Sequence, residues 1–390
     1  MLKVAIYSGG IPSSTFIERL ILGVAEENIT VYLFGKQGSA IKYPPNIKVV
    51  SYNGTLSKVR NIIKYGTLLF LSRRGDLFKA NRLFKKRSDS FYSYYDRLVK
   101  YLPLLYYKPD ILHLQWAKYI DDLVWVKEFD IKLILSLRGS HVNYSPIIDT
   151  KLVDIYKNNF PLVDAFHSVS KDLEIKAIAY TASNIKVVYS GLDMKRYIVP
   201  QVAEEKKDNY INIISVGRWH WVKGYQYAID ACKLLMDRRV RFTYTLIAGN
   251  APEEILYQIR SLGLENRVTI KPKMPHKEVI KQMQRADVLL LPSIAEGIAN
   301  VVLESMAVGT IVLSTDCGGM REVINDGDNG FLIPIRDSKA IADKIEFITA
   351  LQEAKKDTIR KAARAKIEQQ HTVEAMVNEM IELYVTTSES

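Results

Sequence analysis

Two cations and two carboxylates in the second half of the sequence have the types and spacing to hold a diphosphate flanked by hydroxyl-bearing groups. The cations lie in Ser215-Val-Gly-Arg-Trp-His-Trp-Val-Lys-Gly224, after a β-branched run and before a helical pattern that starts near Tyr225. Gly217 permits a tight strand exit, and Arg218 and Lys223 then stand near a helix N-terminus, where backbone N–H groups also favour anions. The carboxylates lie in Pro292-Ser-Ile-Ala-Glu-Gly-Ile-Ala-Asn-Val-Val-Leu-Glu-Ser-Met-Ala307. Glu296 falls in a loop with Gly297, Ile298 and Ala299. Glu304 falls one turn into the following helix, on the face of Asn300, because residues i and i+4 are neighbours there. A loop carboxylate can accept from sugar hydroxyls, a helix carboxylate can grip ribose hydroxyls, and N–H groups between them can bind phosphate oxygens. Each segment alone has a bland alternative, a loop with two solvated cations or a pair of exposed glutamates. Their combination is specific because both follow carboxyl ends of strands in one domain, where open α/β sheets bind ligands.

The elements that must carry these residues read as two α/β domains. Short β-branched runs alternate with helical patterns, the signature of βαβ units around a parallel sheet. In the first half strands are expected at 3–7, 30–34, 47–51, 111–114, 132–136, 165–169 and 186–188. The pattern restarts at 211–216, 244–248, 267–270, 288–291, 311–314 and 330–333. A polar segment at 195–208, with Pro200 and a charge run at 204–208, separates the halves, which places an N-terminal domain at 1–208 and a C-terminal domain at 209–372. A terminal helix and tail, 373–390, carries Met376, Val377, Met380, Ile381 and Tyr384 at helical spacing. A length of 390 residues agrees with two domains of roughly 100–200 residues each.

Composition narrows the class further. With 48% hydrophobic and 25% charged residues there is apolar material for two cores. No apolar run reaches the ~18–20 residues of a membrane span, and the apolar start at 4–7 is too short for a signal-peptide core, so a cytoplasmic protein is expected. Cys232 and Cys317 lack any CxxC or Cys/His spacing, which argues against a disulfide or zinc and for simple packing. Asp326-Gly-Asp328 reads as a turn rather than a metal signature, so neither metal nor cofactor is expected. The net charge is +11, and the segment 56–108 alone contributes +10, from thirteen Lys/Arg against three Asp. The same segment carries Tyr65, Phe70, Phe78, Phe84, Phe91, Tyr92, Tyr94, Tyr95, Tyr101, Tyr106 and Tyr107. Cationic helices with aromatic rings suit an anionic membrane surface, which makes a cytoplasmic protein peripheral at the inner face of the membrane one expectation. The plainer alternative is that the rings pack inside the domain and the cations are solvated.

Val216-Gly-Arg218, Lys223-Gly224, Ala286-Asp-Val-Leu-Leu-Leu-Pro-Ser293, the glutamates at 296 and 304, Asp316-Cys-Gly-Gly-Met-Arg-Glu322 and Asn325-Asp-Gly-Asp-Asn-Gly-Phe331 follow one another in that order. Through them the second half resembles the nucleotide-binding domain of the retaining glycosyltransferase superfamily that includes glycogen synthase and sucrose synthase, the glycosyl transferases group 1. The resemblance implies a GT-B fold: two Rossmann-like domains with parallel sheets facing a central cleft, and a C-terminal helix crossing back to the first. It implies a retaining, metal-independent hexosyltransferase that takes a UDP- or GDP-sugar and transfers the sugar to a glycan or lipid-linked glycan, in surface polysaccharide biosynthesis. Arg218 and Lys223 would neutralise the leaving diphosphate, Glu296 would contact the transferred sugar, and Glu304 the ribose. Asn300 and Val301 would offer N–H groups to phosphate, and Lys273 and Met274 lie where the family packs the base. In the first half, Gly9-Gly-Ile-Pro-Ser-Ser-Thr-Phe-Ile17 is similar to the family's glycine-rich loop facing the donor phosphates, with Gly10 in it; Ser14 replaces a Glu seen in polysaccharide-assembly members. Leu137-Arg-Gly-Ser-His141 is similar to a His-Gly-x-Asp or Arg-Gly-Ser-Asp segment, with Arg138 at the His position and His141 at the Asp position. Both are nominated as cleft residues, catalytic or structural. His113 and His167 end strands and could face the cleft, though a lone histidine at such a place is more often a satisfied core residue. A sugar-nucleotide 2-epimerase shares the architecture and is the rival enzyme. A nucleic-acid-binding protein using the basic helices is a remote rival that leaves Glu296 and Glu304 unexplained, so no nucleic acid partner is expected.

Overall fold

Strands form where Val-, Ile- and Leu-rich runs are bounded by polar or glycine residues, and helices fill the intervals between them. The computed structural model describes residues 1–39, 41–199 and 210–390; the expected boundary at 208, Pro200 and the charge run at 204–208 lie outside the described residues. The chain divides into two units. Unit 1 comprises Met1–Ser168, Glu174–Val188 and Met376–Ser390, and unit 2 comprises Val169–Leu173 and Tyr189–Ala375.

Unit 1 contains β1 (Lys3–Ile11), β2 (Thr30–Gln37), β3 (Ile47–Tyr52), β4 (Ile111–Leu114), β5 (Lys132–Leu137), β6 (Ala165–Ser168) and β7 (Ile185–Val187), in the order β3-β2-β1-β4-β5-β6-β7. All neighbours are parallel. The chain reverses winding direction between β1 and β4, so the carboxyl ends of those strands form the switch point at which such sheets take ligands. The basic segment folds as three helices between β3 and β4: Gly54–Ser72, Arg74–Lys86 and Phe91–Tyr107.

Unit 2 contains β8 (Ile211–Val216), β9 (Phe242–Ile247), β10 (Val268–Lys271), β11 (Val288–Leu291), β12 (Ile311–Thr315) and β13 (Phe331–Ile333), all parallel, in the order β10-β9-β8-β11-β12-β13. Its switch point lies between β8 and β11. Side chains alternate between faces along each strand, and both faces are covered. Ile213, Tyr244, Leu246, Leu290 and Leu313 join one apolar layer. Ile214, Ile247, Leu289, Leu291 and Val312 join the other. The fold class, two Rossmann-like α/β units, is as the alternating pattern implied.

Three expectations need correction. β1 does not stop at residue 7; its register against β2 shifts between Ile6 and Gly9 and then continues, so Gly10 pairs with Lys36 inside a strand rather than lying in a loop. Gly9 is required there, because at φ 89 a Cβ would sit 2.2 Å from the Tyr119 hydroxyl. The unit boundaries also differ from 1–208. Residues from Tyr189 onward belong to unit 2 because Leu192 and Tyr197 bury themselves in its second apolar layer, and the Arg364 guanidinium donates to the Tyr197 carbonyl at 2.8 Å. Val169–Leu173 belongs there too, with the Lys171 and Asp172 amides donating to the Glu322 carboxylate at 2.9 and 3.1 Å.

The terminal helix Val373–Glu389 buries Met376, Val377, Met380, Leu383 and Tyr384. Leu383 takes the place expected for Ile381, which is only half-buried. Tyr384 ends a buried hydrogen-bonded chain in unit 1. The His167 Nε2–H donates to the Val188 carbonyl at 3.0 Å, which leaves Nδ1 to accept from the Ser136 hydroxyl at 2.8 Å. Ser136 Oγ then accepts from His113 Nε2 at 2.8 Å, and His113 Nδ1 accepts from Tyr384 at 2.7 Å. Both imidazoles are therefore neutral. Burial lowers their pKa values, His113 well below the ordinary range and His167 to about 3.

Candidate functional site

Unit 2 brings its predicted residues together at the carboxyl ends of β8 and β11. After β8 the chain passes Gly217 and Arg218, makes a short turn at Trp221–Lys223, and enters the helix Tyr225–Asp237. After β11 it forms the loop that carries Glu296 and then the helix Asn300–Ala307. The Lys223 ammonium lies 2.7 Å from Glu296 Oε1, both side chains largely buried, and the Ser293 hydroxyl donates to the same oxygen at 2.8 Å.

Backbone packing fixes this pair. The Ile294 amide donates to the Val222 carbonyl at 2.7 Å, and the Gly319 amide to the Gly297 carbonyl at 2.7 Å, so the acidic loop is held by a neighbouring loop on either side. Two glycines permit that approach. Gly224 has φ +63, and a Cβ on it would lie 2.1 Å from the Pro292 carbonyl oxygen; Gly318 has φ +57, and a Cβ would lie 2.0 Å from that of Glu296. Gly217 is needed for a reason other than a tight strand exit: its φ is not positive, but the Tyr225 hydroxyl would stand 2.7 Å from a Cβ there.

Arg218 is exposed at the same end of the sheet. His220 was not among the predicted residues, yet its pKa is lowered by burial and then by the charges of Arg218 and Lys223, which places three basic groups in one neighbourhood. Its spacing in Arg-Trp-His-Trp gave no signal separate from the two cations. Glu304 is buried, and its Oε1 accepts from the Tyr197 hydroxyl at 3.2 Å and lies 3.0 Å from His276 Nε2. Tyr197 was also missed, because it precedes the expected boundary. His276 begins the helix His276–Arg285, and the segment before it carries Lys273, whose methylenes lie 3.5 Å from where a Cβ on Gly249 would stand, and Met274, packed against the apolar layer. Trp219 donates its indole N–H to the Gly249 carbonyl at 3.1 Å. Gly297, Ile298, Ala299, Asn300 and Val301 bridge the loop and the first turn of the helix, with Ala299 in extended backbone geometry as its N-cap. At such a terminus the first amide groups point away from the helix and can meet an anion.

Residues 200–365 match the glycosyl transferases group 1 family. Unit 2 is a glycosyl transferases group 1 domain. Similar curated proteins include WcaL of Escherichia coli K12, a putative colanic acid biosynthesis glycosyltransferase, at 31% identity over 51% of this chain and 50% of that one. Another is the amylovoran biosynthesis glycosyltransferase AmsK of Erwinia amylovora, at 28% identity over 64% of each chain. The chain thus spans about half the length of the WcaL proteins it matches. Among solved structures, a sucrose-phosphate synthase from Thermosynechococcus elongatus superposes with TM-score 0.74 at 18% identity over 99% of both chains. HepE of Anabaena, solved with UDP, gives 0.71 at 18% identity over 99% of this chain and 100% of that one. These likenesses establish the GT-B fold. Arg218, Lys223, Glu296 and Glu304 lie within the matched residues, whereas Gly10, Arg138 and His141 lie in unit 1.

There, Arg138 and His141 flank the end of β5. The Arg138 side chain is enclosed: its guanidinium carbon lies 4.7 Å from the Phe16 ring centroid and 5.9 Å from that of Trp116, and it donates to Gln115 Oε1 at 2.8 Å. Burial pushes its pKa down to about 9. His141 stands edge-on to Trp116 at 5.8 Å, and burial, with Lys118 adding to it, lowers its pKa to about 4. Both are thus seated around one tryptophan at the switch point of the first sheet. Gln115 and Trp116 escaped the sequence reading, since a residue just beyond a strand end shows no spacing of its own. Cys232 and Cys317 are buried free thiols.

Proposed function

We propose that the chain is a retaining glycosyltransferase that moves a sugar from a UDP- or GDP-sugar to a glycan or lipid-linked glycan during polysaccharide assembly. The observation that carries this reading is the Lys223–Glu296 pair beside Arg218 at the switch point of the group 1 domain. A diphosphate lying across Arg218 and Lys223 places the sugar toward Glu296 and the ribose toward Glu304. The bond from the sugar's anomeric carbon to the β-phosphate oxygen breaks, and a bond to the acceptor oxygen forms on the same face. The acceptor's proton passes to the departing diphosphate. Negative charge builds on that leaving group as the bond breaks, so the two cations stabilise the transition state more than the ground state. In this mechanism the cations supply the neutralisation, and no resident metal is needed.

The similarity to WcaL and AmsK supports a polysaccharide role, and the HepE structures, with UDP or UDP-glucose bound, support a uridine donor. Incubation with UDP- and GDP-sugars and candidate acceptors, followed by mass spectrometry, tests the reading, with EDTA present in one arm. A glycosylated acceptor of retained anomeric configuration, formed equally with EDTA, is expected. Conversion of the donor without acceptor would indicate an epimerase instead, and failure to bind any nucleotide sugar would remove the proposal.

A further inference from the structure

The helix Gly54–Ser72 in unit 1 is apolar on two opposite sides. Tyr65 and Leu69 are buried on the inner side, beside the polar Asn61. Leu56, Val59, Ile63 and Phe70 recur at i, i+3, i+7 and i+14, which puts them on one outward stripe. They are 89%, 42%, 63% and 43% exposed. A helix with apolar residues on its outward as well as its inward side suits an apolar environment on both of those sides. Further exposed rings come from the next two helices of the basic segment, Phe78, Phe91 and Tyr92. The aromatic residues of this segment are thus divided: Tyr65, Phe84 and Tyr101 pack inside the unit, whereas Phe70, Phe78, Phe91 and Tyr92 do not.

The cations divide in the same way. Arg97 and Lys100 pair with Asp122 and Asp96, and Arg73 and Arg87 donate to the carbonyls of Leu105 and Asp121. Among the described residues no carboxylate lies within ion-pair distance of Arg60 or Lys64. These two flank the outward stripe and also line a cavity of about 460 Å³ between β3 and the helix, with Ser51, Asn61 and Tyr65 on its other walls. The Asn61 amide donates to the Ser51 carbonyl at 3.1 Å, which fixes the floor, and Lys64 lies 5.1 Å from the Tyr65 ring centroid.

We infer that this helix is a membrane-docking face: the Leu56, Val59, Ile63 and Phe70 stripe enters the acyl boundary of an anionic bilayer while Arg60 and Lys64 hold a lipid phosphate headgroup at the cavity. A second copy of the chain is disfavoured as the occupant, because two such faces would bring their unpaired cations together. The inference is independent of sugar transfer, since it requires neither donor nor acceptor.

The test is flotation of the full chain with phosphatidylglycerol/phosphatidylcholine vesicles and with phosphatidylcholine vesicles alone. Salt-sensitive binding to the former only is expected. Arg60→Gln with Lys64→Gln should weaken it roughly thirtyfold, at about fivefold per cation near an anionic surface, and Ile63→Ser with Phe70→Ser should weaken it comparably. All four positions are surface sites, and circular dichroism melting verifies folding. In a second measurement, a polarity-sensitive dye on Ile63→Cys should shift to the blue on adding anionic vesicles, whereas the dye on Tyr257→Cys, exposed in unit 2, should not; Cys232 and Cys317 are buried and escape labelling. Absence of wild-type binding, or binding unaltered by both double substitutions, overturns the inference. So does a concentration-dependent dimer that shields the dye at position 63 without vesicles, or occupation of Arg60 and Lys64 by inorganic phosphate that leaves vesicle binding untouched.

Discussion

The two sheets share a doubly wound plan and present opposite chemistry at equivalent places. At the switch point of unit 2 the charged groups come with polar partners: Lys223 faces Glu296, and Glu304 faces Tyr197 and His276. At that of unit 1 a single guanidinium is enclosed by Phe16 and Trp116, with Gln115 as its polar partner and a histidine kept neutral nearby. One end holds a cation already paired with a carboxylate; the other carries a buried cation already desolvated, whose field is screened weakly. The difference teaches that the topology fixes where a ligand can sit, while the loops after each strand decide what charge it must bring.

The largest expected effect tests the paired end. Lys223→Met should lower kcat/KM for transfer by about 10²–10³ while changing nucleotide affinity far less, as for other groups that stabilise developing charge; steady-state kinetics with calorimetry of the nucleoside diphosphate checks it. Equal losses in binding and turnover would make Lys223 an anchor only. Next comes the backbone beneath the pair. Gly318→Ala should cost on the order of 3 kcal/mol, because φ is positive and the methyl group would meet the Glu296 carbonyl; thermal melting measures it, and activity should fall with it.

The third prediction concerns unit 1. His167 has a folded pKa of about 3 against an ordinary 6.5, so below pH 6.5 the unfolded chain binds more protons than the folded one and stability falls as pH falls. By pH 5 the loss should be about 2 kcal/mol for this group. His167→Gln, which keeps an amide donor and an acceptor without titrating, should flatten the profile in denaturant melts at pH 7 and 5. The smallest effect sharpens the paired end: Tyr197→Phe removes one hydrogen bond to Glu304 and should raise the donor KM by no more than about fivefold, or roughly 1 kcal/mol.

Strands were legible because both faces of a parallel sheet are covered, which leaves short continuous apolar runs such as Val288–Leu291, whose four residues are all buried. The unit 2 residues were legible because they fall on the loops and helices that directly follow strand ends, where sequence order and spatial order coincide. Contacts formed between distant segments were not. The Tyr197 hydroxyl reaches Glu304 from outside the expected domain, and the chain from Tyr384 to Val188 joins five segments with no shared motif. The extension of β1 through Gly10 depended on a shift of register against β2, a property of two strands that neither sequence carries alone.

The segment that holds Leu192 and Tyr197 lies upstream of residue 200, where the family match begins. A recombinant unit 2 trimmed to the matched region would therefore lack two plugs of its own interior and one support of Glu304, and the Arg364 guanidinium would face a missing carbonyl. Such a fragment should express as an aggregation-prone species, whereas one begun at Tyr189 should remain monodisperse: here the limits of recognisable ancestry and the limits of an autonomous fold are separate lines on the same chain.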